Sequence, residues 1–337
     1  EGIQNTLDAR ITRADGSREP ARVRIFVSDQ AGALSPAGGR RWFDSLWPHV
    51  SAQGNGLRGV PSLAEECPFL VFEDFGTTGL TGDSGAHAVE PGRSNNFLNF
   101  FRAEGHSDKS EKDRGSWGVG KTVFPRASRI SSFFGLTVRQ TDGARLLLGH
   151  SILKYHSVGG RHYKSNGYFG KERPDGFMLP ADDRSVIAEF CRDFSVTRTS
   201  ESGLSVVVPW YEVSGDDHVT ADGVVAAILR GFFLPILRGD LTVTVETPSS
   251  TLSLAKDSLV QTVESLSDPI SRETLPRIKL AQWAVGLQPS EFERLLAPTP
   301  GRAQQWSDDL VPKDVAERLR ERIAGGGRIA IKVPLSV

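Results

Sequence analysis

The feature that most constrains this sequence is an apolar run that ends in two acidic residues and a glycine turn. Residues 69–72 (Phe-Leu-Val-Phe) predict a buried strand, and Glu73 and Asp74 follow it directly. Gly76 and Gly79 come next and favour a tight turn. We therefore expect Asp74 at the end of a strand, where ligands are commonly bound. Taken alone, such a turn is more often a simple chain reversal than a ligand site.

A second motif opens the chain. The first ten residues place Glu1, Asn5 and Asp8 at intervals of four and three, so a helix would carry all three polar side chains on one face. Ile3 and Leu7 would then pack inward. By itself, this pattern is usually only the solvated face of an amphipathic helix.

The third motif is a glycine-rich segment that follows a long polar stretch. Its residues, within the run 115–122, are Gly115, Ser116, Trp117, Gly118, Val119, Gly120, Lys121 and Thr122. Glycines let a backbone approach phosphate groups closely, and a helix that follows adds a favourable field. Residues 80–114 are rich in Gly, Ser, Asp and Lys with little periodicity, which is typical of a mobile lid.

Taken in their order along the chain, the three motifs resemble those of the GHKL superfamily of ATPases, which includes gyrase, the large heat-shock chaperone, histidine kinases, MutL and the MORC proteins. The resemblance covers about residues 1–210. It implies an α+β fold, a Bergerat-type ATP-binding sandwich in which helices cover one face of a mixed sheet. It also implies that Glu1 is the general base, that Asn5 is a magnesium ligand and that Asp74 accepts a hydrogen bond from the adenine amino group.

The same resemblance names the other residues expected to bind ATP. Gly203-Leu204-Ser205 takes the place of the family's later Gly-Thr element. The expected ATP-binding residues are thus Asn5, Asp8, Asp74, Gly76, Gly79, Gly115, Gly118, Val119, Gly120, Lys121, Thr122 and Ser205. The chemistry suits these residue types, because phosphoryl transfer to water needs an aligned nucleophile and neutralised oxygens. A carboxylate can position the water, and an amide oxygen suits Mg²⁺.

Two alternatives remain open. Residues 115–122 satisfy the P-loop pattern Gly-x4-Gly-Lys-Thr, but the preceding residues 102–114 are polar and predict no strand, so this interpretation is disfavoured. The other alternative is a module that senses nucleotide without turnover. Such a module needs Asn5 and Asp74 but not Glu1, so the presence of Glu1 favours an enzyme.

Composition excludes several classes of function. The 40 basic and 41 acidic residues leave a formal net charge of -1, so nucleic acid as a partner has no global electrostatic support. Cys67 and Cys191 are the only cysteines, which argues against a disulfide scaffold and favours a reducing, cytoplasmic location. The most apolar stretch, residues 224–237, is too short and too interrupted to span a membrane.

The sequence changes character after Pro209. An alternating strand at 241–246 and a second at 251–254 predict a hairpin, and helices are expected near 257–266, 290–297 and 312–324. By resemblance, residues 211–337 are a transducer-like α/β domain, which in dimerising relatives supplies a lysine to the terminal phosphate. The candidates for that lysine are Lys256, Lys279 and Lys332.

The resemblance also extends to the expected biology. ATP and Mg²⁺ are the implied ligands, and slow hydrolysis is expected to drive lid closure and a dimerisation cycle, in a homodimer or as a subunit of a larger complex. The turn and the glycine-rich segment look most like those of stand-alone bacterial proteins related to MORC and the chaperone, some of which belong to DNA-associated or phage-defence systems. The chain starts on the first-motif helix without a methionine and ends in a strand-like segment, so we expect it to be incomplete at both ends.

Overall fold

The structure, a computed structural model, describes residues 1–88, 94–102, 123–212, 218–295 and 310–332. It divides into two compact units, residues 1–265 and 266–337. In chain order, the strands are β1 (Ala21–Val27), β2 (Phe69–Phe75), β3 (Ser132–Val138), β4 (Arg145–Ile152), β5 (His156–Val158), β6 (Arg161–Tyr163), β7 (Asn166–Phe169), β8 (Lys171–Glu172), β9 (Met178–Leu179), β10 (Gly203–Pro209), β11 (Leu241–Glu246), β12 (Thr251–Leu254), β13 (Glu293–Arg294) and β14 (Ile331–Lys332).

The helices number ten within those described ranges. They are α1 (Gly2–Asp8), α2 (Pro36–Phe43), α3 (Trp47–Val50), α4 (Asn96–Phe101), α5 (Val123–Arg126), α6 (Arg184–Asp193), α7 (Ala221–Arg238), α8 (Leu259–Glu264), α9 (Asp268–Val285) and α10 (Lys313–Ala324). The α+β class predicted from the sequence is therefore confirmed.

One mixed sheet of eight strands organises the first unit, in the order β12-β11-β1-β2-β10-β3-β4-β7. β11 lies parallel to β1, whereas the other neighbours are antiparallel. Helix α7 makes the crossover from β10 to β11 and packs against β11. Val243 and Val245 of β11 are buried opposite Val23 and Ile25 of β1.

This pairing moves the domain boundary. From the sequence, the first domain was predicted to end at residue 210, and the 241–254 hairpin was predicted to belong to a second domain. The structure instead makes that hairpin, β11 and β12, the edge of the main sheet, so the first unit continues to Ser265. The reason is physical: an alternating strand does not reveal which distant strand it will pair with.

Side chains of successive strand residues point to opposite faces, so the sheet has two differently covered surfaces. One surface, which we call the Asp74 face, carries α1, α4 and α5. The Phe72 ring contacts Phe124 of α5 with centroids 6.3 Å apart, and the Phe133 ring stacks on Phe101 of α4 at 5.9 Å.

The other surface, which we call the Glu73 face, holds a large aromatic core. Trp42 of α2 packs edge-on against Phe190 of α6 at 5.4 Å and against Phe134 of β3 at 6.2 Å. Phe43 packs against Trp210 at 4.7 Å. Helices thus cover both faces of the sheet, whereas the sequence predicted them on one. The additional layer comes from α2 and α6.

The second unit contains α9, α10 and the parallel pair β13–β14 among its described residues. The helix expected near 290–297 is instead a 3₁₀ turn at Pro289–Glu291 followed by β13. Helix α9 was not expected; Pro276 in its interior disfavours a helix by local propensity, whereas the proline in its first turn is compatible with one. Nowhere in the described ranges is there a helix long and apolar enough to cross a bilayer.

Candidate functional site

Helix α1 lies over β1 and β2 and presents its polar residues outward. Gly2 sits on the ring of Phe72, where an added Cβ would lie 3.0 Å from Cε2. Ile3 is buried, and the helix exposes Glu1 and Asn5. The predicted face is thereby formed, and the structure brings Glu1 and Asn5 together on it.

Asp8, the third polar residue of this motif, is exposed, as Glu1 and Asn5 are. Its Oδ1 accepts a hydrogen bond from Gln4 Nε2 at 3.3 Å. Four residues separate the two along the helix, so this contact stabilises α1 itself. The role of Asp8 in ligand binding stays a prediction.

The Asp74 carboxylate lies at the end of β2, directly below α1, and is 6% exposed. Its Oδ1 accepts hydrogen bonds from Thr77 Oγ1 at 2.6 Å and from the Leu204 backbone N–H at 2.9 Å. Thr6 of α1 donates through Oγ1 to Asp74 Oδ2 at 3.3 Å and shares the same proton with the Gly2 carbonyl at 3.0 Å. Oδ2 therefore keeps acceptor capacity for a ligand.

Every donor to this carboxylate among the described residues is a neutral group, which sets its electrostatics. Burial raises the pKa of Asp74, and the charge of Arg198 together with the hydrogen bonds from Thr77, Leu204 and Thr6 opposes that shift without cancelling it. The site therefore holds a carboxylate that is poorly solvated and that no cation of the described ranges contacts by a hydrogen bond.

The turn after Asp74 has the conformation that its glycines predict. Gly76 and Gly79 have φ of +77° and +68°, values that favour glycine. A Cβ on Gly79 would also touch the carbonyl oxygen of Val138. The turn thus packs against the end of β3 and closes one side of the site.

Glu73, the preceding residue, faces the opposite side of the sheet and is 0% exposed. Its Oε2 accepts from Arg24 Nη1 at 2.8 Å and from the backbone N and Oγ1 of Thr197 at 3.0 and 2.8 Å. Its Oε1 accepts from Ser205 Oγ at 2.9 Å and from the Arg198 backbone N at 3.1 Å. Five donors thus satisfy one buried carboxylate.

Arg198 links this cluster to the site on the other face. Arg198 is 2% exposed, and its guanidinium Nε donates to Ser205 Oγ at 2.7 Å. Nη1 donates to the Glu201 carbonyl at 3.0 Å, while Nη2 donates to the carbonyls of Leu204, at 2.9 Å, and Asp74. Arg198 therefore fixes the backbone of the two strand ends from which the Asp74 carboxylate and the Leu204 N–H project.

Ser205, expected in the ATP pocket, lies elsewhere. It is fully buried and pairs with Glu73 across the β10–β2 ladder, so its side chain shares the Glu73 face. Gly203-Leu204-Ser205 has one residue more than the Gly-Thr element whose place it takes, which explains the difference, because a shift of one residue along a strand moves a side chain to the other face. The hydroxyls beside the Asp74 carboxylate belong to Thr6 and Thr77 instead.

Gly203 is the part of this element that does meet Asp74. A Cβ there would lie 2.7 Å from Asp74 Oδ1 and 2.7 Å from Arg198 Nη1. Only glycine leaves room for the two strands to bring the carboxylate and the Leu204 N–H together.

Several predicted residues fall outside the part of the chain that the structure describes. These are Gly115, Gly118, Val119, Gly120, Lys121 and Thr122. Of the expected lid at 80–114, residues 80–88 and 94–102 are described, and the second range contains α4. Phe97, Leu98 and Phe101 of α4 are buried, so this part of the expected lid is a packed helix on the Asp74 face.

Sequence reasoning missed Thr6, Thr77, Glu73 and Arg198. Thr77 had a local signal, since a hydroxyl three residues after an aspartate often closes a turn. Glu73 had a weaker one: strand alternation requires one of two consecutive acids to face each side. Arg198 had none, because it reaches Glu73 from 125 residues away in sequence.

The sequence matches no protein-family model and no curated protein. Among solved structures, the topoisomerase IV ATP-binding domain of Francisella tularensis, in complex with a small-molecule inhibitor, is 11% identical; the match covers 78% of this chain and 51% of that chain, with a TM-score of 0.33. The 43K ATPase domain of Thermus thermophilus gyrase B, in complex with an aminocoumarin, is 13% identical and covers 79% and 47%, also with a TM-score of 0.33.

Both of these structures come from members of the GHKL superfamily, the group that the sequence resembles. The chain spans about half the length of each. A likeness at such a TM-score shows nothing about activity, so the function of the site rests on its own geometry.

Proposed function

We propose that the Asp74 face binds ATP and hydrolyses it slowly in the presence of Mg²⁺. The observation that carries the proposal is the Asp74 carboxylate, which is buried at a strand end beside the helix that exposes Glu1 and Asn5, and whose donors in the described ranges are all neutral. A buried carboxylate of this kind costs stability, and perturbed acids of this kind cluster at ligand sites.

The remaining acceptor capacity of Asp74 suits an amino group. From the described residues Oδ2 accepts one hydrogen bond, which Thr6 shares with the Gly2 carbonyl, so the exocyclic amine of adenine can donate to it. Guanine presents a carbonyl oxygen at the equivalent ring position and would place an acceptor against an acceptor. The geometry therefore favours ATP over GTP.

Glu1 and Asn5 supply the groups that hydrolysis requires. Glu1, at the start of α1, is exposed and able to take a proton from a water molecule. The Asn5 amide is exposed on the same helix face, and its oxygen matches the preference of Mg²⁺ for hard ligands. When bound, the metal would neutralise charge on the phosphate oxygens. In the described ranges no three His, Cys, Asp or Glu residues cluster as a metal site, so phosphates and waters would complete the shell around Asn5.

The proposal extends to a conformational cycle and to a biological role. Closure of the segment that contains residues 115–122, dimerisation upon closure, and a role in a bacterial DNA-associated or phage-defence system are supported by the sequence resemblance alone. A module that senses nucleotide without turnover shares the Asp74 and Asn5 roles, and only a turnover measurement separates it from an ATPase.

The decisive experiment titrates a non-hydrolysable ATP analogue, with and without Mg²⁺, into the parent chain and two variants. We expect Asn5→Ala to abolish the magnesium-dependent part of the affinity and Thr122→Ala to leave it largely intact. The P-loop alternative requires the reverse, because there the threonine of the motif ligates the metal. A dispensable Asn5 with an essential Thr122 would overturn the proposal.

A further inference from the structure

A separate cavity of about 350 Å³ lies mainly among residues of the Glu73 face, between α2, α3 and the β3–β4–β7 edge of the sheet. Rings of Trp42, Phe134, Tyr163 and Phe169 contribute to its lining. A dry apolar cavity of about 150 Å³ is enough to bind benzene. The present cavity therefore has room for a bicyclic aromatic molecule.

A chain of hydrogen bonds fixes the protonation of two histidines at this cavity. His156 Nδ1 lies 2.8 Å from the Lys154 carbonyl oxygen. That oxygen can only accept, so Nδ1 carries the proton, and in the neutral ring His156 Nε2 carries a lone pair. His49 Nδ1 lies 2.9 Å from this Nε2 and must be the donor. A neutral His49 consequently presents a lone pair on its own Nε2.

The neutral form of His49 is the one its surroundings favour. Burial and the neighbouring His156 both lower the pKa of His49, so its ring is uncharged at neutral pH. Within the described part of the chain, its Nε2 accepts no hydrogen bond. The ring stands edge-on to Tyr163, with centroids 4.5 Å apart, and belongs to the cavity lining. An acceptor with an assigned lone pair thus belongs to a mostly apolar lining that includes several aromatic rings.

We propose that this cavity is a second small-molecule site, which takes a neutral, planar, bicyclic heteroaromatic ligand with one N–H or O–H group donated to His49 Nε2. The aromatic lining selects a flat apolar body, and the relayed imidazole selects the donor. Of the described lining residues only Lys164 carries a full charge, and it is exposed, so nothing inside the cavity would neutralise a charged ligand. Ligand pockets commonly combine an apolar wall with a few oriented polar groups.

Indole and 1-methylindole test the proposal, since they share a bicyclic body and differ in the N–H donor. Titrations followed by calorimetry and by NMR of the full chain should show indole perturbing the resonances of His49, Tyr163 and Phe169. Indole should bind about 3- to 10-fold more tightly than 1-methylindole, the scale of one net hydrogen bond. Absence of binding by either probe up to its solubility limit, or equal affinity for both, would overturn the proposal.

Variants at the acceptor sharpen the test. His49→Phe keeps a planar ring but removes Nε2, and it should make the two probes bind equally. His49→Gln restores an acceptor oxygen and should recover part of the preference for indole. His162→Phe, at an exposed histidine outside the lining, should leave the preference unchanged. If the His49 variants fail to fold, the comparison of the two probes on the parent chain still decides the matter.

Discussion

Glu73 and Asp74 are adjacent in sequence, equally acidic and both buried, yet the two faces of the sheet treat them differently. Glu73 accepts five hydrogen bonds, including one from the Arg24 guanidinium, and Arg198 lies beside it. Within the part of the chain that the structure describes, the Asp74 carboxylate accepts hydrogen bonds from two threonine hydroxyls and one backbone N–H, and from no charged group. The hydrogen-bonding capacity of Glu73 is filled by the protein, whereas Asp74 can still accept a hydrogen bond from a ligand.

The difference separates a stabilising acid from a binding acid. A buried ion-pair network with every partner in place specifies structure, and the removal of one partner leaves an uncompensated charge. A buried acid with neutral partners costs stability, which a ligand donor can offset. The Glu73 cluster holds rigid the backbone on which Asp74 is presented, because Arg198 binds the carbonyls of Asp74 and Leu204.

The largest expected effect comes from breaking the Glu73 cluster. Arg198→Met should lower the free energy of unfolding by about 3 to 5 kcal/mol, because four acceptors lose their guanidinium donor and Glu73 loses a neighbouring charge, although the Arg24 guanidinium stays bonded to Glu73. The matched control is Arg22→Met, at an ion pair with Glu201 whose side chains are 59% and 45% exposed. That loss should be at most about 1 kcal/mol. Urea denaturation measures both variants, and equal losses would remove the distinction between the buried network and the surface.

The next effect concerns chemistry on the Asp74 face. Glu1→Ala should lower the rate of ATP hydrolysis by roughly 10²-fold or more while leaving affinity for the ATP analogue nearly unchanged. The free energy of unfolding should also stay close to that of the parent, since Glu1 is exposed. A steady-state phosphate-release assay gives the rate. Undiminished turnover would remove Glu1 from the mechanism and favour another base.

The smallest effect is a dependence of stability on pH. Because burial raises the pKa of Asp74, the folded protein takes up a proton there at a higher pH than the unfolded chain does. The ionised form of Asp74 therefore destabilises the folded state. The contribution of Asp74 to the free energy of unfolding rises as the pH falls from its folded-state pKa toward 3.8, the ordinary value for an aspartate in the unfolded chain. The stability advantage of Asp74→Asn over the parent should shrink over that window by at most about 1.4 kcal/mol per pH unit. A constant difference between pH 7 and pH 4 would contradict the assigned environment.

Local patterns in the sequence were enough to predict much of the first unit. The strand that carries Asp74, the helix of the first motif and the 241–254 hairpin all lie where periodicity and turn residues predict them. These elements have strong local signals: an apolar run before a turn, polar spacing on one helix face, and two alternating segments separated by turn residues.

Pairings between distant residues escaped prediction for a physical reason. The Arg24–Glu73 contact joins residues 49 positions apart, and Arg198 reaches Glu73 over 125. No window of the sequence shows such a contact. The side of the sheet that Ser205 faces depends on its position along the strand, and one inserted residue is enough to move its side chain to the other face. The fold class and the location of Asp74 were therefore predictable, whereas the division of roles between the two acids was not.

One paired measurement on Asp74→Asn and Glu73→Gln tests that division most directly: the affinity for a non-hydrolysable ATP analogue by calorimetry, and the free energy of unfolding by urea denaturation. Asp74→Asn should lose about 2 to 4 kcal/mol of binding, because an amide can present a donor to the adenine amine, while its stability is maintained or improved. Glu73→Gln should show the opposite pattern, with a loss of stability of about 3 kcal/mol or more and retained binding while folded. Parent-like affinity in Asp74→Asn would contradict the account.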